Sequence, residues 1–161
     1  MAAQIGAPAA AARAHEELFA YWASLRAGGR LPGRRDLDPG SFKRHLPTIS
    51  LTDVIREPLD FRVRLAGTGL YGLYGGEITG RRIEEVYSGS AVDYWKTELR
   101  QVVHEGRPAV GAHNLSWRGA SHLSILWLRL PLSSNGRDVD MILGFDAIVG
   151  MRQSATGIRA A

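Results

Sequence analysis

The chain has 161 residues, enough for one domain with a real core and short for two. With 45% hydrophobic and 22% charged residues it has an ordinary globular composition, and no run approaches the roughly 18 apolar residues of a membrane span. The formal charge of +4 comes largely from scattered arginines, and the absence of cysteine excludes disulfides, thiolate catalysis and cysteine-ligated metal.

Residues 1–13 are rich in alanine, with no basic residue before Arg13 and no strongly apolar stretch, so they read as a flexible tail and not as a secretory signal. One domain is expected over 14–150, in a reducing, cytoplasmic setting, with a second tail over 151–161. The spacing predicts an amphipathic helix over 14–27. Leu18, Tyr21, Trp22 and Leu25 fall at i, i+3, i+4 and i+7, and Gly28-Gly29 stops the helix. That aromatic stripe is suited to cover the domain's own sheet or a partner's. A basic group, Arg26, Arg30, Arg34, Arg35, Lys43 and Arg44, offers a nucleic-acid surface, but solvated faces are the commoner use of such residues and nucleic acid is not the expected partner.

Asp38-Pro39 is an N-cap followed by proline, which predicts short helical turns through His45. Ile49, Leu51, Asp53 and Ile55 alternate with Ser50, Thr52 and Val54, a strand with one dominant apolar face. Phe61, Val63 and Leu65 alternate in a second strand, and the tight connection makes an antiparallel hairpin. Gly67-Thr68-Gly69-Leu70-Tyr71-Gly72 then spells G-x-G-x-x-G, the fingerprint of a dinucleotide-binding turn. Its context fails: the hairpin is antiparallel, only a short helix fits before Gly75-Gly76, and no buried strand precedes Glu84-Glu85. The glycines read instead as a strand exit chosen for backbone freedom.

Ser90-Ala91-Val92-Asp93 resembles a capping box and opens the best helix. Its apolar stripe is Val92, Trp95, Leu99, Val102 and Val103, and Gly106 and Pro108 end it. Three strands are expected after it, over 109–117, 121–132 and 140–149, with turns at Gly119 and at Asn135-Gly136. No catalytic constellation emerges. Ser116 and Ser124 lack a G-x-S-x-G elbow, and Asp138, Asp140 and Asp146 read as turn and solvent-facing positions. His113 and His122 sit on one hairpin without the convergence that a metal needs, so no metal site is expected.

The resulting order is an α+β arrangement, and the chain resembles the PAS superfamily, closest to a PAS-like family of alphaproteobacteria once catalogued as a domain of unknown function. The residues that carry the resemblance are Tyr21-Trp22 and Leu25, Leu31-Pro32 with Arg34, Asp36 to Pro39, His45-Leu46-Pro47, Phe61-Arg62 with Arg64 to Thr68, Gly75, Ile78-Thr79-Gly80 and Leu130-Pro131-Leu132. The resemblance implies a five-stranded antiparallel sheet in spatial order 2-1-5-4-3, with helices on one face and an extra N-terminal helix. It also implies a non-enzymatic module for sensing or protein contact. Light-sensing flavin chemistry and a coumarate chromophore both need a cysteine that this chain lacks. A haem-binding member would use a histidine on the long helix, where His104 lies at the edge of the apolar stripe. A central cavity would be lined by Phe61, Val63, Tyr71, Tyr74, Trp95, Leu99, Ile125 and Trp127, filled by these side chains or holding a small metabolite, with no cofactor expected. The chain would act as a homodimer through Leu18, Tyr21, Trp22 and Leu25 and pass its output to a separate signalling protein. A nucleotide or haem sensor, or an enzyme using the Gly67–Gly72 turn, is the alternative.

Overall fold

The computed structural model describes residues 5–150. Helix α1 spans Pro8–Ser24, after a two-residue strand β1 at Ile5–Gly6. The helix starts at Pro8 and not at residue 14, because proline is pre-organised for the first turn and alanine has the best helix propensity. Most of the expected N-terminal tail is thus helical, and the expected tail at 151–161 lies outside the described residues.

Five further strands form the sheet: β2 (Ile49–Ile55), β3 (Asp60–Ala66), β4 (Ala109–Leu115), β5 (Ala120–Leu132) and β6 (Met141–Gly150). Their order is β3-β2-β6-β5-β4, all neighbours antiparallel, with β1 added parallel to β6 beyond the end of β2. This is the order the sequence resemblance implies. Between β3 and β4 lie α2 (Tyr71–Tyr74), α3 (Ile83–Val86) and α4 (Ser90–Glu105).

Register divides the sheet into two faces, because residues directly opposite in an antiparallel pair share a side. Leu128 pairs with Phe145 and Leu130 with Leu143 on the outer face; Trp127 pairs with Asp146 and Arg129 with Gly144 on the inner face. Helix α1 covers the outer face. Its buried stripe is Ala11, Ala14, Leu18 and Trp22, and the Trp22 indole donates to the Pro131 carbonyl at 2.8 Å. Helix α4 covers the inner face, burying Ala91, Trp95, Leu99 and Val102, with Trp95 and Trp127 ring centroids 5.3 Å apart. Each fully buried large apolar side chain contributes about 1.5–3 kcal/mol by leaving water, so both faces are needed for the core. Among the described residues no helix is long and apolar enough to cross a membrane.

Three local expectations are corrected. Helix α4 begins at Ser90, but its N-cap is Gly89, and no side-chain capping bond forms. Strand β4 stops at Leu115, and Trp117 lies in a 3₁₀ turn at Ser116–Arg118. Asn114 causes that stop: its side-chain amide donates to Ser121 and Leu123 carbonyls and its oxygen accepts from the Ser116 N–H, satisfying backbone groups that the ladder would otherwise use. The third correction concerns Gly67, whose φ of −64° is open to any residue. What requires glycine there is space: a Cβ would sit 2.3 Å from the carbonyl oxygens of both Leu46 and Pro47. The first two glycines of the motif let β3 and its following turn press against the Leu46–Pro47 backbone.

Candidate functional site

The inner face carries an ion pair in the middle of the core. Arg129 is 5% exposed and Asp146 1%, and the Arg129 Nη1 donates to an Asp146 carboxylate oxygen at 2.9 Å. Asp146 is therefore no solvent-facing position, a correction to the sequence reading. Alternation along β6 marks its side but does not reveal that both sides of this sheet are covered. The other carboxylate oxygen accepts from the Tyr74 hydroxyl at 3.0 Å, and Tyr74 and Tyr87 hydroxyls are 3.0 Å apart. Because Tyr74 gives its proton to Asp146, Tyr87 is the donor in that second bond.

Elements far apart in sequence assemble this cluster. Tyr74 comes from α2 directly after the glycine motif, Tyr87 from just beyond α3, Trp95 from α4, and the charged pair from the two central strands. The Arg129 guanidinium lies over the Trp95 ring, 4.6 Å from its centroid, and 5.8 Å from that of Trp127. Tyr87 stacks on Trp95 at 5.3 Å. Small residues clear the floor: a Cβ on Gly144 would meet Ser50 Oγ at 2.6 Å and Arg129 Nη1 at 3.1 Å, and one on Gly111 would meet the Trp127 ring at 2.4 Å.

Burial opposes the Arg129 charge, but Asp146 beside it outweighs that penalty and holds the guanidinium above its ordinary pKa. Burial, reinforced by the Asp146 charge, pushes both Tyr74 and Tyr87 up, so both phenols stay protonated. Burial likewise lowers the pKa of His113, which stacks on Tyr94 with centroids 4.0 Å apart.

A cavity of about 20 Å³ lies within this cluster, lined among others by Ser50, Thr52, Tyr87, Trp95 and Arg129. Of the eight residues expected around a central pocket, Val63, Tyr74, Trp95 and Leu99 line it. Phe61, Ile125 and Trp127 are buried in the surrounding core, and half-buried Tyr71 instead bonds Glu77. The Thr79 and Tyr71 hydroxyls hold the Glu77 carboxyl down to about 2. Sequence reasoning missed Arg129, Asp146, Ser50, Thr52 and Tyr87. The available signals were a glycine in mid-strand at Gly144 and an arginine inside the most apolar run of the chain.

The alternative sites do not assemble. Histidine 104 is exposed on the solvent side of α4. The space beside Gly67 is filled by the Leu46 and Pro47 carbonyl oxygens, acceptors that would repel a phosphate. Among the described residues no group of three or more His, Asp or Glu side chains could hold a metal ion. The basic group is partly engaged within the chain: Arg44 pairs with Glu17, Arg26 donates to the Gly29 carbonyl and Arg30 to that of Asn135. In the expected dimer stripe, Leu18 and Trp22 are each 1% exposed, held against the outer face, while Tyr21 and Leu25 are half-buried.

A protein-family model described as a PAS domain matches residues 10–147. No curated protein matches the chain. Among solved structures, an RNA-binding Light-Oxygen-Voltage receptor aligns with TM-score 0.50 and 18% identity over 79% of this chain and 36% of that one. The Rhodobacter sphaeroides LOV protein aligns with TM-score 0.47 and 18% identity, over 74% of this chain and 71% of that one. A variant named RsLOV d2 gives 0.49 and 17%, over 73% and 72%. At 18% identity the likeness to the first of these concerns the fold alone.

Proposed function

This chain belongs to the PAS domain family, and we propose that it is a non-enzymatic, cytoplasmic sensory module that works through protein contacts, first of all with a second copy of itself. One observation carries the contact reading, the unequal treatment of the two sheet edges. Edge strand β3 carries Arg62 and Arg64, and its outer side is paired: Val63 N–H donates to the Arg81 carbonyl at 2.9 Å and Gly80 N–H to the Val63 carbonyl at 2.7 Å. Edge strand β4, Ala-Val-Gly-Ala-His-Asn-Leu, has no charge and no proline, the usual protections of an edge. On it Val110 is 64% exposed, and from α1 Phe19 is 46% exposed. With His15, Glu16, Pro108 and Leu128 they line a recess of about 300 Å³ between α1 and the sheet.

An antiparallel edge is self-complementary, so the same patch on two copies can meet about a two-fold axis. The buried stripe Leu18 and Trp22 then acts from behind, fixing α1 so that Phe19 lines the same recess as Val110. The light-sensing flavin chemistry weighed from the sequence resemblance has no support here: this chain has no cysteine, and a cavity of about 20 Å³ has no room for a tricyclic ring. Sedimentation equilibrium of the full chain tests the reading. A dimer at micromolar concentration that Val110→Lys converts to monomer is expected; a wild-type monomer at about 100 μM, or a dimer indifferent to Val110→Lys, overturns it.

A further inference from the structure

The recess beside β4 is apolar but for two side chains, His15 and Glu16, which follow one another on α1. The His15 ring stands edge-on to Phe145, with centroids 5.5 Å apart, and its Nε2 lies 3.3 Å from the Leu126 carbonyl oxygen. A carbonyl only accepts, so Nε2 carries the proton, and in the neutral ring Nδ1 is left as a bare acceptor. Nδ1 makes no hydrogen bond to a described residue. A proton taken up there adds a full charge and a donor that relies on water. The surrounding charges do not take the place of that water. Adjacent residues of a helix do not face each other, so Glu16 is turned away from the His15 ring of its own chain. His45 stands edge-on to the same Phe145 ring at 5.6 Å, and the Glu17 carboxylate is engaged by His45 and Arg44. Burial is the largest influence on His15 and holds it below its ordinary value of 6.5; the Leu126 carbonyl and Asp146 favour its charge and Arg129 opposes it.

We propose that His15 makes the self-association of this chain pH-dependent: the neutral ring fits a covered recess, and the protonated ring drives the two copies apart. The inference rests on the contact reading above and names how that contact is regulated. A second copy that covers Val110 and Phe19 removes water from the recess that His15 also lines. A charged imidazole loses more by that than a neutral one. Protons therefore bind the separate copies better than the dimer. By linkage the association is at full strength above the titration range of the separate copy and weakens as pH falls through it. Two copies carry two such rings, so the association constant can fall by at most about a hundredfold per pH unit. Histidine changes charge where carboxylates stay ionised and arginines protonated, so the range from about pH 7.5 to about pH 5.5 isolates it.

The test is sedimentation equilibrium of the full chain at those two pH values, with circular dichroism at each to follow the fold. The expected result is a dimer at the higher pH whose association constant falls at least roughly tenfold at the lower, with the spectrum unchanged. His15→Gln, whatever its affinity, should give the same constant at both pH values, whereas Glu16→Gln should keep the fall. Should His15→Gln not fold, NMR titration of the wild-type His15 ring, assigned by its contacts to Phe145, replaces it. A lower midpoint is then expected at dimeric than at monomeric concentration, and equal midpoints overturn the inference. A dimer equally tight at both pH values, one that tightens in acid, a fall that His15→Gln retains, or a loss of dimer that accompanies unfolding also overturns it, with the contact reading left standing. A wild-type monomer at about 100 μM at the higher pH overturns the contact reading and this inference with it.

Discussion

The two faces of the sheet are buried to the same degree by different means. The outer face is an apolar contact: Leu18 and Trp22 of α1 on a surface presented by Leu128, Leu130, Leu143 and Phe145. Its few polar contacts run to backbone carbonyls, Trp22 to Pro131 and His15 to Leu126. The inner face buries an arginine, an aspartate and two tyrosine hydroxyls among tryptophan rings. Apolar packing loses stability in proportion to the volume removed. A buried charge pair behaves differently: removing one partner strands the other, while replacing both with apolar groups of similar volume is close to neutral. The outer face is therefore replaceable piece by piece, and the inner face only as a unit.

The largest effect should come from breaking that unit. Asp146→Ala leaves the Arg129 charge uncompensated and is expected to cost about 3–5 kcal/mol in urea denaturation. The double variant Arg129→Met, Asp146→Leu should regain most of that loss; if it is as unstable as the sum of its parts, the pair is not a unit. On the outer face Leu18→Ala should cost about 2–5 kcal/mol without any such rescue. Deleting residues 1–28 should expose the outer face and give an aggregating chain, not a well-behaved monomer, because α1 is part of the core.

Titration should separate the faces next. On the outer side His15 is held below its ordinary value of 6.5, mainly by burial, against the opposing pull of the Leu126 carbonyl. The unfolded chain binds that proton first, so stability should fall as pH drops below about 6.5, and His15→Gln should flatten this slope. Tyr74 and Tyr87 on the inner side have raised values, so their contribution is present below the unfolded tyrosine value of about 10 and is lost as pH rises beyond it. Acid should thus probe α1 and alkali the core cluster, read as denaturation midpoints across pH. The smallest effect belongs to an ion pair in solvent. Asp53 and Arg64 lie 2.9 Å apart with the arginine side chain 59% exposed, and Asp53→Asn should lower the denaturation midpoint only slightly at low salt and not at all at high salt.

Periodicity and turn chemistry made most of the fold legible. Alternation in 49–55 and 61–65, the Leu99-centred stripe of α4 and the Asn135-Gly136 turn all map onto the observed elements, and the strand order followed from the resemblance. The site was legible only in part. Val63, Tyr74, Trp95 and Leu99 could be placed because large apolar and aromatic side chains on core-facing positions need no partner to explain them. Ser50 and Thr52 could not: alternation shows which residues share a side of β2, but a polar side ordinarily faces water.

What the sequence determined by itself is local: which segments are helix or strand, which residues share a side, and that no cysteine chemistry is available. The pairing of Arg129 with Asp146 was decided by β5–β6 register and by α4 closing over it, which made their mutual attraction the only way to keep two charges out of water. The meaning of the glycine motif was likewise decided by a distant segment, since Gly67 is required only because Leu46 and Pro47 arrive 2.3 Å from where its Cβ would be. Hydrophobic periodicity is a property of a window of residues, whereas a buried charge or a missing Cβ is explained by neighbours that only the folded chain supplies.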